Sequence, residues 1–187
     1  MQYFLINMLK KFIKKLYPAP IGIKKIGKYS VILFPRRIQG AGEIEIGENV
    51  IIQSNSWVAT FSTYEDQTFK PNIKIGSNVK IGRSFSLTSI DSVEIGDGCL
   101  FSEQVFISDH YHTAVPSSIP PHAQPLGSKG PVKIGRNCFI GVRACIFSGV
   151  TLGDYCVVGA NSVVTKSFPA RSIIAGAPAV LIREAAQ

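Results

Sequence analysis

All three histidines of this 187-residue chain fall in one stretch. His110, His112 and His122 lie between Ser108 and Lys133, in SDHYHTAVPSSIPPHAQPLGSKGPVK. An imidazole titrates near neutral pH, so it is the side chain best suited to take a proton from a weak nucleophile at a working site. A loop histidine is ordinarily just solvated. Restriction of the residue to one excursion, with His110 at its entry, reverses that expectation for His110 and leaves it standing for His122, deep among the prolines. The four cysteines suggest no chemistry. They show neither the CxxC nor the Cys/His spacing of a zinc site, and no secretory context favours disulfides.

A period of six positions the histidines. From Ile134 the chain reads IGRNCF, IGVRAC, IFSGVT, LGDYCV, VGANSV and VTKSFP, each hexad opening on an aliphatic. The same phrase occurs as IGENVI and IQSNSW from Ile46, as IGSNVK and IGRSFS from Ile75, and as IGDGCL, FSEQVF and ISDHYH from Ile95. Six residues suit neither a helix nor an alternating hairpin strand. They predict a β-solenoid in which each hexad is one flat wall and its aliphatic points into the core. Four residues beyond each aliphatic comes a second inward position, occupied by Val50, Ser56, Val79, Phe85, Cys99 and their equivalents, mostly small or β-branched. Cys99, Cys138 and Cys156 all fall there and are expected to pack as core; Cys145 does not. The expected architecture is an all-β parallel β-helix over residues 21–169, followed by a C-terminal segment, 170–187.

The period breaks at residues 59–72 (ATFSTYEDQTFKPN), at a short slip near Ser89–Ser92 that contains Asp91, and at the long excursion 108–133, whose five prolines cannot continue the strands. A solenoid core is a passive rod, so function is expected at these interruptions.

Composition narrows the field further. With 45% hydrophobic and 17% charged residues, the chain has material for one domain with a sizeable core. No apolar run approaches the ~18 residues that cross a bilayer. Lysines at 10, 11, 14 and 15 interrupt the N-terminal apolar residues and no small-residue cleavage site follows, so a secretory signal is not expected and a soluble cytoplasmic protein is. The net charge of +8 is concentrated in residues 1–28, which hold seven lysines and no acid. The body shows no basic stripe interleaved with aromatics, so nucleic acid is not an expected partner. Residues 1–20 predict a basic amphipathic helix: Leu5, Leu9, Phe12 and Leu16 on one side, the lysines on the other, closed by Pro18 and Pro20. Such a helix suits peripheral association with the inner face of the cell membrane through residues 1–17, and equally suits packing on the body or on a neighbouring subunit.

Hexads, a long loop opening with DHYH, and then IGRNCFIGVRACIFSGVTLGDYCVVGANSVVTKSFPARSIIAGAPAVLIRE resemble the hexapeptide-repeat acyltransferases. The likeness spans roughly residues 40–184 and is most specific over 134–184. Within the family, the galactoside/maltose and polysaccharide sugar O-acetyltransferases are nearest. The resemblance implies a left-handed β-helix, a homotrimer, and acetyl-CoA lying between neighbouring rods, with no metal required. His110 stands where the family places its catalytic histidine and would take a proton from a sugar hydroxyl, which attacks the thioester directly. His112 matches a second histidine beside it. Asp109 would hold the His110 tautomer or bind the acceptor, and Asp91 lies near the family's acceptor-binding acids and amides. Gly141, Gly159, Ala160, Thr165, Lys166 and Arg183 stand where the family contacts the cofactor, the two basic residues toward its phosphates. Departures are Val142 in place of a serine, Phe139 in place of a tryptophan, Val180 in place of a basic residue, a longer loop after His110 and the lysine-rich front.

The expected activity is therefore acetyl transfer to a sugar hydroxyl of a bacterial surface polysaccharide or its lipid-linked precursor. The alternatives are the same transfer to an antibiotic, serine or amino-sugar nitrogen, and a non-catalytic β-helix that binds partners. A γ-type carbonic anhydrase would need three zinc-binding histidines, and His110 and His112 are only two apart.

Overall fold

The aliphatic that opens a hexad and the residue before it form a strand of two residues, as in Ile51–Ile52, Phe139–Ile140 and Val163–Val164, or part of one of three or four, as in Ile44–Ile46 and Asn72–Ile75. The computed structural model describes residues 22–185 of the chain; the helix expected over 1–20 lies outside them. Three strands and three corners make one coil, and successive coils stack in parallel register. Where the repeat is uninterrupted, Lys133 pairs with Thr151 and Cys145 with Val163. The result is a left-handed parallel β-helix with three walls, here called faces A, B and C. Face A runs from Lys25–Ile26 to Thr151–Leu152 and face C from Arg37–Gln39 to Val163–Val164, six strands each. Face B has eight strands. Its parallel ladder continues past residue 169 through Ser172–Gly176, and Ala179–Glu184 then folds back antiparallel on that strand.

Both inward columns pack as the hexads predict. The opening aliphatics from Ile46 to Val164 are each 3% exposed or less, and the second column, from Val50 to Ser162, is 1% exposed or less. Cys99, Cys138 and Cys156 lie in that second column and donate their thiols to the carbonyls of Gly135, Gly153 and Pro169 at 3.1–3.3 Å, while Cys145 is half-buried.

The corners explain the small polar residues between the aliphatics. At the fourth hexad position the backbone turns left-handed, with φ between 56° and 61° at Asn49, Asn55, Asn78, Asn137 and Asn161. Asparagine tolerates that conformation better than other residues with a side chain, because its short amide can bond locally. The glycine after each aliphatic answers to a different limit. A Cβ on Gly96 would stand 2.8 Å from the carbonyl carbon of Gly135 and from the Arg136 nitrogen in the next coil. Both obstacles are backbone, so neither can move aside.

All three breaks of the period leave the coil at one corner, the exit from face C. The strands Trp57–Thr60, Ser86–Ser89 and Phe106–Ser108 are neighbours on that face, in register Trp57↔Ser86↔Phe106. After the first comes a hairpin, Thr63–Tyr64 with Gln67–Thr68; after the second, the slip at Ile90–Asp91; after the third, the long excursion, closed by Tyr111–His112 pairing with Leu126–Gly127.

The other two faces carry contrasting outward columns. On face A the registered residues are Lys25, Glu45, Lys74, Glu94 and Lys133, charges alternating from coil to coil. They line an open groove of about 570 Å³ in which neighbouring charges offset one another, as on a solvated wall. On face B the column is Ile51, Lys80, Leu100, Phe139 and Val157, with Leu100 and Phe139 exposed.

Replacing Gly96 with alanine should cost about 2–4 kcal/mol, since the coil above cannot relax around the new methyl. Urea denaturation measures this; a midpoint equal to wild type would show that the corners have slack.

Candidate active site

Between the excursions, on the outer surface of face C, lies a cavity of about 330 Å³. Its walls are aromatic: Trp57, Phe61, Tyr64, Phe106 and Phe147. Trp57, Phe106 and Phe147 occupy outward positions on face C or just beyond its strands, so the repeat itself holds them. Thr88, Ser108, His110 and His112 supply the polar part of the lining.

The stack of the three exits builds a buried anion beside His110. Asp109 is fully buried and follows directly on the strand Phe106–Ser108. Its Oδ1 accepts from the Ile90 backbone N–H at 2.9 Å and from His110 Nδ1 at 3.0 Å. Its Oδ2 accepts from the Ser89 hydroxyl at 2.5 Å and from the Asp91 backbone N–H at 2.9 Å. Four donors fill the four lone-pair sites of an ionised carboxylate. Burial alone would raise the Asp109 pKa; the hydrogen bonds from His110, Ser89 and the two backbone amides outweigh it and hold the carboxyl below its ordinary value. The slip in the repeat thus has a use: it turns the amides of Ile90 and Asp91 toward the coil above.

Because Asp109 is ionised, it can only accept, so a neutral His110 ring carries its proton on Nδ1 and leaves Nε2 with a free lone pair. The ring is 12% exposed and lies edge-on to Phe61 at 5.9 Å between centroids. Ser108 Oγ braces the turn, donating to the His110 carbonyl at 2.8 Å and itself accepting from Thr88 Oγ1 at 3.1 Å.

The two excursions are fastened to each other. Gln67 donates to the Leu126 carbonyl at 3.1 Å and accepts from the Leu126 N–H at 2.7 Å, so one amide pairs with the long loop as a strand neighbour would. The Tyr64 hydroxyl donates to the His122 carbonyl and lies 3.4 Å from His112 Nδ1, with the two rings edge to face at 5.5 Å. Within the long loop, Gln124 is buried and bonds to both the N–H and the carbonyl of Val115, to Ser117 Oγ and to the Ile119 carbonyl. The prolines are thereby held in one shape.

The residues singled out from the sequence are distributed as follows. His110 and His112 line the cavity; Asp109 stands behind His110. The Asp91 side chain is exposed and outside the lining, while its backbone N–H holds Asp109. His122 contributes its carbonyl rather than its ring. Thr165 borders an adjoining open cleft of about 420 Å³ that shares Tyr111 and Phe147 with the cavity. The Lys166 ammonium sits 5.6 Å from the Phe168 ring centroid. Gly141, Gly159 and Ala160 stack at the corner between faces B and C, where the Gly141 N–H donates to the Val158 carbonyl at 2.8 Å. Arg183 is exposed on the last strand, opposite Ile173. Within one chain these six do not share a cleft. Among the described residues no cluster of three or more His, Cys, Asp or Glu side chains is arranged to hold a metal ion.

Sequence reasoning did not find Trp57, Phe61, Phe106 and Phe147 as walls, nor Ser89 and Gln67 as anchors. The signal for the walls was present: large aromatics at outward positions of hexads that otherwise carry polar residues.

The stacked three-walled coils thus carry a histidine–carboxylate pair beneath two loops. Comparison with known proteins identifies the family. Residues 131–166 match the profile of the hexapeptide repeat of succinyl-transferase. The chain is 34% identical over 161 residues to WbbJ of Escherichia coli (strain K12), assigned as a lipopolysaccharide biosynthesis O-acetyl transferase, covering 82% of this chain and 78% of that one. It is 35% identical over 153 residues to the galactoside O-acetyltransferase of the same organism, covering 76% and 70%. In three dimensions it resembles AntD, an N-acyltransferase from Bacillus cereus solved with dTDP and 3-hydroxybutyryl-CoA, with a TM-score of 0.70 at 22% identity over 94% of this chain and 87% of that one. The chain belongs to the hexapeptide-repeat acyltransferase family, and it is an acyltransferase.

Asp109→Asn turns an amide NH₂ toward donors that need an acceptor. It should cost about 2–4 kcal/mol in stability, because the buried donors lose their acceptor. Since the folded pKa of Asp109 is depressed, its stabilisation is complete above the unfolded value of ~3.9 and is lost as pH falls through the folded one. The difference in Tm between wild type and variant, measured calorimetrically, should therefore be full at pH 7 and narrow below about pH 4. A difference that stays constant into acid would mean the carboxylate is not the source.

Proposed function

We propose that this chain transfers the acetyl group of acetyl-CoA to a sugar hydroxyl, with His110 as general base and Asp109 as the residue that orients it. One observation carries this reading: a buried, fully hydrogen-bonded carboxylate holds His110 in the tautomer whose Nε2 can accept a proton, at the wall of a cavity roofed by both excursions. A hydroxyl is a poor nucleophile at pH 7. As its oxygen attacks the thioester carbonyl, its proton passes to Nε2; the tetrahedral adduct then collapses, the C–S bond breaks, and the departing thiolate recovers the proton from the imidazolium. His112, fixed by Tyr64, would orient the acceptor. Asp91, exposed at the same corner, is the weaker candidate for that task.

The cleft beside the cavity supports the donor half. It leads from Tyr111 and Phe147 to Thr165, which suits a pantetheine arm approaching His110 along face C. Lys166 and Arg183 would meet the phosphates, and the narrow corner at Gly141, Gly159 and Ala160 would let backbone approach the arm of a cofactor held by a neighbouring rod. That arrangement needs a second copy. The exposed Leu100 and Phe139 on face B support a homotrimer, while the charged ladder of face A suits water. The assignment of WbbJ to lipopolysaccharide biosynthesis supports a surface polysaccharide or its lipid-linked precursor as acceptor, made in the cytoplasm. The basic stretch 1–17 supports work beside the inner membrane face. No helix among the described residues is long and apolar enough to cross a membrane.

His110→Ala should lower kcat by ~10²–10⁴ with the Kd for CoA unchanged by calorimetry; undiminished turnover would remove the histidine from the mechanism. Light scattering should give the mass of three chains, and Phe139→Asp should yield single chains with little activity; a monomeric wild type rejects the trimer. Full-length protein should co-sediment with anionic liposomes and a 1–20 deletion should not. Equal partitioning of the two rejects the membrane role.

A further inference from the structure

All three parallel ladders of the rod begin in the same coil. Among the described residues, Lys25–Ile26 pairs only with Ile44–Ile46, Val31–Ile32 only with Ile51–Ile52, and Arg37–Gln39 only with Trp57–Thr60. This basal coil, residues 22–40, carries Lys24, Lys25, Lys28, Arg36 and Arg37, all exposed, and no acid. They are spread around its perimeter: two lysines at the face A strand, Lys28 at the corner before face B, the arginines at the start of face C. The chain before them has the same sign. Residues 1–40 hold nine basic side chains and no acid, whereas 41–187 hold eleven basic and twelve acidic ones. The whole net positive charge of the molecule therefore belongs to this end.

Charged side chains on an open sheet edge guard it against pairing with another chain. That role needs charge but not one sign, since glutamate guards an edge as lysine does, and farther up face A the two signs alternate. Neutralisation within the rod does not account for the sign either. Acids begin one coil up, where Glu45 takes Lys24 at 2.8 Å and Glu43 accepts from the Thr60 hydroxyl at 3.1 Å. Among the described residues, Lys25, Lys28 and Arg37 form no ion pair.

We propose that the basal coil is a docking face for an anionic bilayer surface and that the rod stands on it end-on. The choice of a bilayer rests on the membrane-side reading of residues 1–17: Leu5, Leu9, Phe12 and Leu16 precede this coil directly in the chain. A planar rim of cations matches a planar anionic surface, whereas a nucleic-acid backbone follows a groove or stripe. Cations at a lipid surface add to apolar insertion rather than replace it, because stable peripheral attachment takes two signals. The tail would supply one and the coil the other. Orientation follows from the register Arg37↔Trp57↔Ser86↔Phe106. His110 belongs to the fourth coil and would stand ~14 Å beyond the basal one, at ~4.8 Å per coil. That height keeps the proposed base clear of the headgroups while its cavity faces along the membrane.

Full-length protein is sedimented with vesicles of phosphatidylcholine alone and of phosphatidylcholine mixed with phosphatidylglycerol. The Lys25→Gln/Lys28→Gln/Arg37→Gln variant should partition onto the anionic vesicles at least ~10-fold more weakly than wild type. Lys74→Gln/Lys80→Gln/Lys133→Gln removes as much charge from coils ~10 Å or more farther up, beyond the reach of a screened surface, and should partition as wild type does. All six side chains are exposed, so neither variant strands a buried partner. Hydrogen exchange of the wild type needs no substitution: anionic vesicles should slow it at residues 22–40 and leave Ser172–Glu184, at the far end, unchanged. A basal variant that partitions like wild type, or protection confined to residues 1–21, overturns the inference and keeps the membrane role of the tail. Full-length protein that sediments with neither vesicle overturns both. Retention of a single-stranded oligonucleotide instead of vesicles, dependent on the same three cations, overturns the lipid assignment.

Discussion

Every coil of this molecule lies directly on the one below it, so each hexad position becomes a column about 4.8 Å in pitch along the rod. A side chain is judged against its own counterpart one coil away. The aliphatics satisfy this by packing into a continuous core, the corner glycines by leaving no Cβ to strike the neighbouring backbone, and the asparagines by accepting the left-handed turn between them. Extra residues can leave only where a wall ends, because an insertion within a strand would shift every column above it to the wrong side. Here they all leave at the exit from face C. Segments far apart in the chain therefore emerge side by side, and the site is assembled from that coincidence.

The site divides charge from cavity. One carboxylate, Asp109, is taken fully out of water, which is strongly unfavourable unless every lone pair is met. The hydroxyl of Ser89 and the N–H groups of Ile90 and Asp91 come from the coil below, and His110 adds the fourth bond. Its negative charge acts on the imidazole alone. The space in front of the ring is lined mainly by aromatic side chains. The clamp of Gln67 on Leu126 and the Gln124 knot keep the roof over that space without covalent links.

The three walls carry three kinds of surface. Alternating lysine and glutamate on face A offset each other and remain hydrated; Leu100 and Phe139 on face B leave apolar area open; face C holds the aromatics beneath the loops.

The period of six in the amino-acid sequence is enough to determine the parallel β-helix, both inward columns and the core role of Cys99, Cys138 and Cys156, because in a stacked solenoid burial is a local, periodic property. It also marks the interruptions and the confinement of histidine to one of them. Handedness came from resemblance rather than spacing. Tertiary structure alone decided the partnership of Asp109 with Ser89 and the Ile90 and Asp91 amides, the bond from Tyr64 to the His122 carbonyl, and the pairing of Gln67 with Leu126. Those groups lie 18 to 59 residues apart, and their meeting depends on how many residues each excursion adds before the chain rejoins the stack. A repeat read along the chain gives the position of each wall, but which loops face one another is set only once the coils are laid on top of each other.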